Sequence, residues 1–163
     1  MKLVSTFEEV NPIIAQAAKE PAQVSWLDDL ERRFQDLEER LKGMTNTTSS
    51  MVAAVESASS VDPEEVEKTV NRLMELEEGL GTDLSRFRAE QDHWVDLLRH
   101  HTRKAQRRFS ELLGHLEEAM IRTAEALRDA RWRLLAIQAQ IEEEGEGPIF
   151  DDPEALERYL GSG

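Results

Sequence analysis

Apolar residues recur along most of this chain at alternating spacings of four and three, the rhythm of a heptad seam that needs a helical partner along its length. One series runs Leu27, Leu30, Phe34, Leu37, Leu41 and Met44. A second runs Val66, Val70, Leu73, Leu80, Leu84, Phe87, Trp94 and Leu98. A third runs Phe109, Leu113, Leu116, Met120, Leu127, Leu134, Ile137 and Ile141. Strand-like alternation is absent. The pattern predicts an all-α protein, an elongated antiparallel helical bundle or coiled coil of about three long helices with short terminal helices. Residues 23–58, 63–98 and 104–144 are stretches of similar length, each about 55–60 Å as helix.

Punctuation along the chain refines this. Residues 5–19 hold Phe7, Val10, Ile13, Ile14 and Ala17 at helical spacing and predict a short helix. Pro12 is expected to sit in its first turn or to break it. Ser25 is a candidate N-cap for the next helix, with Asp28 and Asp29 suited to a positive helix end. Gly43 and the run from Thr45 to Ser50 are poor helix formers, costing about 2–4 kcal/mol relative to Ala. The frame nevertheless continues through Met44, Met51, Val55 and Ala58, so the helix is expected to persist with local fraying. Asp62-Pro63-Glu64-Glu65 is the clearest start, with Asp62 capping, Pro63 at the first helical position and Glu65 closing a capping box. Gly79 and Gly81 weaken the helix that follows by about 2 kcal/mol. Thr82 could cap a restart, but Leu73, Leu80 and Phe87 keep one phase across the glycines, which predicts a weak or kinked continuous helix.

A seven-residue spacing from Val66 to Trp94 leads to His101 and then Arg108, yet the apolar position is instead Phe109, from which Leu116 and Ile137 follow. This one-residue slip means a skip in a continuous helix or a turn between two helices. No Gly or Pro lies in 99–108 to mark a turn. An unbroken 63–144 would form a rod of about 120 Å, overhanging the hairpin and exposing Phe109 to Ile141 to a second chain. Self-association is therefore expected. Glu142-Glu143-Glu144-Gly145 and Gly147-Pro148 end the last long helix. The chain thus divides into a short N-terminal helix (1–22), a long-helix coiled-coil bundle (23–144) and an acidic tail with a short helix (145–163).

Composition agrees with long helices: 33% of residues are charged and only 39% hydrophobic, leaner than a compact globule wants. With no cysteine, disulfides and thiolate metal sites are excluded. No apolar run is long enough for a membrane span. The N-terminus lacks the apolar stretch of a signal peptide, so a cytoplasmic protein is expected. The net charge of −14 is uneven. Residues 142–163 set eight acids against Arg158, whereas 99–108 carry Arg99, Arg103, Lys104, Arg107 and Arg108 with no acid. The overall acidity disfavours nucleic acid and anionic membrane surfaces as partners. The basic run lacks aromatics for base stacking and is expected to pair with acidic helix faces such as Asp28, Asp29, Glu31 and Asp36, or with the tail.

Candidate chemistry is thin. Asp92, Asp96 and His100 share a helix face at a spacing that can hold zinc, but no second element supplies ligands, so no metal or other cofactor is expected. No nucleophile elbow or phosphate loop occurs, and the expectation is a non-enzyme. The function predicted is that of a structural or adaptor protein acting through coiled-coil contacts with itself and another protein. The alternative is a cytoplasmic helical chaperone or cargo binder that docks through its acidic tail. Candidate partner-binding residues are Trp94 on the seam, Trp132 off it, Arg103, Arg107 and Arg108 in the basic run, and Phe150, Leu156, Tyr159 and Leu160 in the tail.

Overall fold

The computed structural model describes residues 3–145, and these are all-helical apart from their connections. Four helices follow in order: α1 (Leu3–Lys19), α2 (Ser25–Ser57), α3 (Pro63–Leu97) and α4 (Arg103–Gly145). No strand occurs among the described residues.

Several helix limits follow from the local sequence. The carboxylate of Asp62 accepts from the Glu64 backbone N–H at 3.0 Å, with Pro63 as the first helical residue. Pro63 has no N–H to leave unsatisfied there and its φ is already helical. The reciprocal bond from Glu65 that a capping box requires is not made. Helix α2 runs unbroken through Gly43 and the threonines to Ser57, as the continued apolar frame predicts. Thr48 on its inner face is buried, and Val52 is fully so. Helix α3 likewise continues through Gly79 and Gly81. Thr82 does not cap a restart; its hydroxyl donates to the carbonyl of Glu78 at 3.0 Å, one turn back within the same helix.

Two local expectations are corrected. Val24, not Ser25, occupies the N-cap of α2, and no side chain caps it. The entry is held instead by Trp26, whose indole N–H donates to the carbonyl of Gln23 at 3.0 Å. Pro12 lies inside α1 and neither starts nor breaks it. A mid-helix proline removes one backbone hydrogen bond. Here packing overrides that loss, because Val10 and Ile14 are fully buried and Ala17 nearly so.

Ion pairs reveal how the helices run. Arg108 near the start of α4 meets Asp28 and Glu31 near the start of α2, and Arg133 further along α4 meets Glu56 near the end of α2. Helices α2 and α4 therefore run in the same direction. Arg88 pairs with Glu117 and Arg131 with Glu77, so α3 runs opposite to α4. Both α2 and α3 pack along α4 but touch each other little, and α1 lies against α3 and α2. All four helices share one hydrophobic core.

The seams close inside this single chain. Leu27 to Leu41 on α2, Val66 to Trp94 on α3 and Phe109 to Leu134 on α4 supply most of the core, and Val10, Ile14 and Ala17 of α1 add to it. Each large side chain so buried contributes about 1.5–3 kcal/mol. The overhang that a continuous 63–144 helix would create does not occur, because the chain turns at residues 98–102 and folds α4 back along α3. Phe109, Leu116, Met120 and Leu127 are covered by neighbours in the same chain.

That turn has neither Gly nor Pro, and side chains do the work instead. The amide of Gln106 donates to the carbonyls of Leu98, Arg99 and His101 at 3.2, 2.9 and 3.0 Å. These carbonyls follow the end of α3, outside its hydrogen-bond ladder, and that of Leu98 also accepts from the His101 N–H at 3.0 Å. The Thr102 hydroxyl caps α4 by accepting from the Ala105 N–H at 3.2 Å. His101 is buried, its ring edge-on to Trp26 at 5.2 Å. Its Nε2 donates to the Ala17 carbonyl at 2.8 Å, closing the C-terminal end of α1.

Candidate functional site

The predicted site residues separate into three places. Trp94 belongs to the core. It is fully buried, its indole N–H donates to the Asn11 side-chain oxygen at 2.7 Å, and its ring meets Phe87 edge-on at 6.0 Å. It anchors α3 to α1 within the chain and presents nothing to a partner.

Trp132 stands on the outer side of α4, 60% exposed. Heptad geometry explains this: Ala130 and Leu134 face the core, and a residue midway between them points away. Its ring is held from one side by the Arg131 guanidinium, 5.5 Å from the ring centroid. Arg131 in turn is fixed by Glu77 of α3, a pair in which both side chains are mostly buried. Met74, one turn before Glu77 on α3, is half exposed. An indole pinned by a cation on a rigid helix loses little conformational freedom when it is covered, the property that makes Trp and Arg frequent binding hot spots.

The basic run divides. Arg108 turns toward α2 and donates to Asp28 at 2.7 Å and Glu31 at 2.6 Å, as expected from the acidic face of that helix. The hydrogen bond to Asp28, followed by that to Glu31, raises the pKa of its guanidinium still further. Among the described residues Arg99 pairs with Asp96, three residues back. Arg103 and Arg107 are exposed and have no carboxylate partner among the described residues. With Val95, Leu98, Gln106, Phe109 and Ser110 they line a groove of about 350 Å³ at the α3–α4 turn. Val95 is 46% exposed there, an apolar side chain beside two free guanidiniums. Its position one residue past Trp94, off the seam, was the sequence signal for its exposure. Phe150, Leu156, Tyr159 and Leu160 lie outside the described residues.

Titratable groups gather into no reaction centre among the described residues. No three His, Asp or Glu side chains converge as metal ligands would. Asp92, Asp96 and His100 are exposed on α3 and the turn after it. The buried carboxylate is Asp83 on α3, whose burial raises its pKa against the opposing influence of Arg86. Two further grooves, of about 400 Å³ beside Pro12 and Trp26 and about 470 Å³ between α2 and α4 beside Leu41 and Arg122, lack a convergent set of catalytic groups. No described helix is long and apolar enough to cross a membrane. No protein-family model, curated protein or solved structure matches this chain.

Proposed function

We propose that this chain is a non-enzymatic structural or adaptor protein of the cytoplasm, an elongated antiparallel coiled-coil bundle that works through contacts with itself and with another protein. The observation that carries this reading is Trp132. The other two tryptophans are buried, at 8% and 0% exposure, whereas Trp132 keeps 60% of its surface in water and is braced by Arg131 and Glu77. Because the heptad seams are used up within the chain, contacts with partners fall to such residual surfaces. Each contact is small, so several acting together suit a scaffold better than a single high-affinity pocket.

Sedimentation equilibrium tests the reading. A mass that rises above the 18.6 kDa of one chain with concentration supports it. A clean monomer throughout the micromolar range contradicts self-association. Trp132 is its own reporter, because Trp26 and Trp94 are already buried. Its fluorescence should shift to shorter wavelength when a partner covers it, and Trp132→Ala should remove that shift.

A further inference from the structure

We propose that the groove at the α3–α4 turn receives the C-terminal segment of a second copy of this chain, joining copies head to tail; this rests on the self-association reading above. The groove offers the exposed apolar side chain of Val95, seated over the buried Leu98 and Phe109 and flanked by the guanidiniums of Arg103 and Arg107. Those two cations have no carboxylate partner among the described residues, although Arg108 beside them has two. The segment after Gly145 carries the complementary chemistry. It holds Glu146, Asp151, Asp152, Glu154 and Glu157 against the single Arg158, interspersed with Ile149, Phe150, Leu156, Tyr159 and Leu160. Carboxylates matched to guanidiniums around an apolar anchor form charge-assisted, geometrically specific contacts.

Length decides between its own groove and a neighbour's. Along α4, Arg107 and Gly145 are about 57 Å apart. From Gly145 to Leu160, even a fully extended chain spans only about 50–54 Å. Phe109 in the groove lies about 54 Å from Gly145 along α4, so only Leu160, at the end of a fully stretched segment, comes near the groove of its own chain, and Ile149, Phe150 and Leu156 cannot reach it. A second copy has no such restriction. Groove and segment lie at opposite ends of α4, so the contact is heterologous and generates open chains or closed rings rather than a two-fold dimer.

Two full-length variants test this by sedimentation equilibrium in low salt. R103E/R107E removes the groove's charge and keeps the C-terminal segment; I149A/F150A keeps the groove and blunts the segment. Both changes avoid the described core, and circular dichroism should show unchanged helix. Each variant alone should associate at least about tenfold more weakly than the unaltered chain. Mixed, they should form a capped complex of two chains, twice 18.6 kDa and no larger, because only one groove and one segment remain functional. Added salt should dissolve it. Undiminished association of R103E/R107E, or a mixture that stays monomeric while the unaltered chain associates, overturns the proposal and leaves self-association standing. If association survives both variants and is lost in W132A, the contact is on the outer face of α4 and the proposal fails. An unaltered chain that never associates overturns both readings.

Discussion

The two ends of the bundle are built differently. Where α1 lies against α2 and α3, four helices surround a core of Trp26, Phe34, Phe87, Trp94 and Phe109, with the His101 ring inserted among them. Buried and partly buried polar contacts tie this end together: Asn11 to Trp94, Ala17 to His101 and Gln106 to the turn. Glu8 reaches Arg86, so α1 begins near the level of Gly81 to Asp83. Beyond that level three helices remain, with Thr48, Val52, Val66, Val70, Leu73, Leu127 and Leu134 inside and no buried aromatic among the described residues. Cores of smaller aliphatic residues bury less area per residue, and glycines in α3 add backbone entropy to the cost. The same heptad rhythm thus yields one end fixed by shape and hydrogen bonds and another held mainly by the hydrophobic effect.

The sharpest way to break this asymmetry is Trp94→Ala. It removes the largest fully buried side chain and the donor to Asn11 together. A loss of about 3–5 kcal/mol is expected in chemical denaturation. The near-ultraviolet dichroism of the aromatic end should collapse while most helix remains. In the opposite direction, G79A/G81A should stabilise the chain by about 1–2 kcal/mol in total, read as a higher denaturation midpoint. A Cβ at either glycine meets nothing within 4 Å, and neither has a positive φ. Gln106→Ala should cost about 1 kcal/mol, because the carbonyls of Arg99 and His101 lose a donor while that of Leu98 keeps the His101 N–H. Amide exchange should speed up at the start of α4 before it does elsewhere.

The smallest effect concerns Asp83, near the junction of the two ends. Burial raises its folded-state pKa above that of the unfolded chain. Its contribution is therefore fully present below the unfolded value and is lost as pH rises through the folded one. At neutral pH the buried carboxylate is a burden. Asp83→Asn should be more stable than the unaltered chain at pH 7, and the difference should shrink as pH falls through the raised folded value toward the unfolded one. Melting temperatures of the two proteins across pH 4 to 7 check the sign.

Much of this could be read from the residues in order. Phe34, Leu73, Phe87 and Leu116 are buried where the rhythm places them, because a period near 3.5 leaves each seam residue only one face. Asp62-Pro63 announced α3 through chemistry confined to adjacent residues. The pairing of Arg108 with Asp28 and Glu31 followed from charge alone. What escaped was tertiary. Gln106 closes a turn through its own side chain, so no glycine or proline flags it, and the one-residue slip of the frame left skip and turn equally open. Pro12 sits mid-helix because its neighbours are buried by other helices, a fact outside its local sequence. Asn11 gives no sign that it receives a tryptophan N–H from 83 residues away. Among the site residues, Trp132 was legible as exposed from its position off the seam. Trp94 was legible as seam, and that placement made it core rather than contact surface.

Residue-resolved amide hydrogen exchange on dilute full-length chain tests most directly whether one chain closes its own seams and is anchored at the α1 end. The slowest exchange should fall in 27–41, 84–97 and 105–120, with 47–57 and 63–80 opening earlier through sub-global unfolding. Equal protection at both ends, or faster exchange around Trp94 and Phe109 than around Val52 and Val70, would contradict that account.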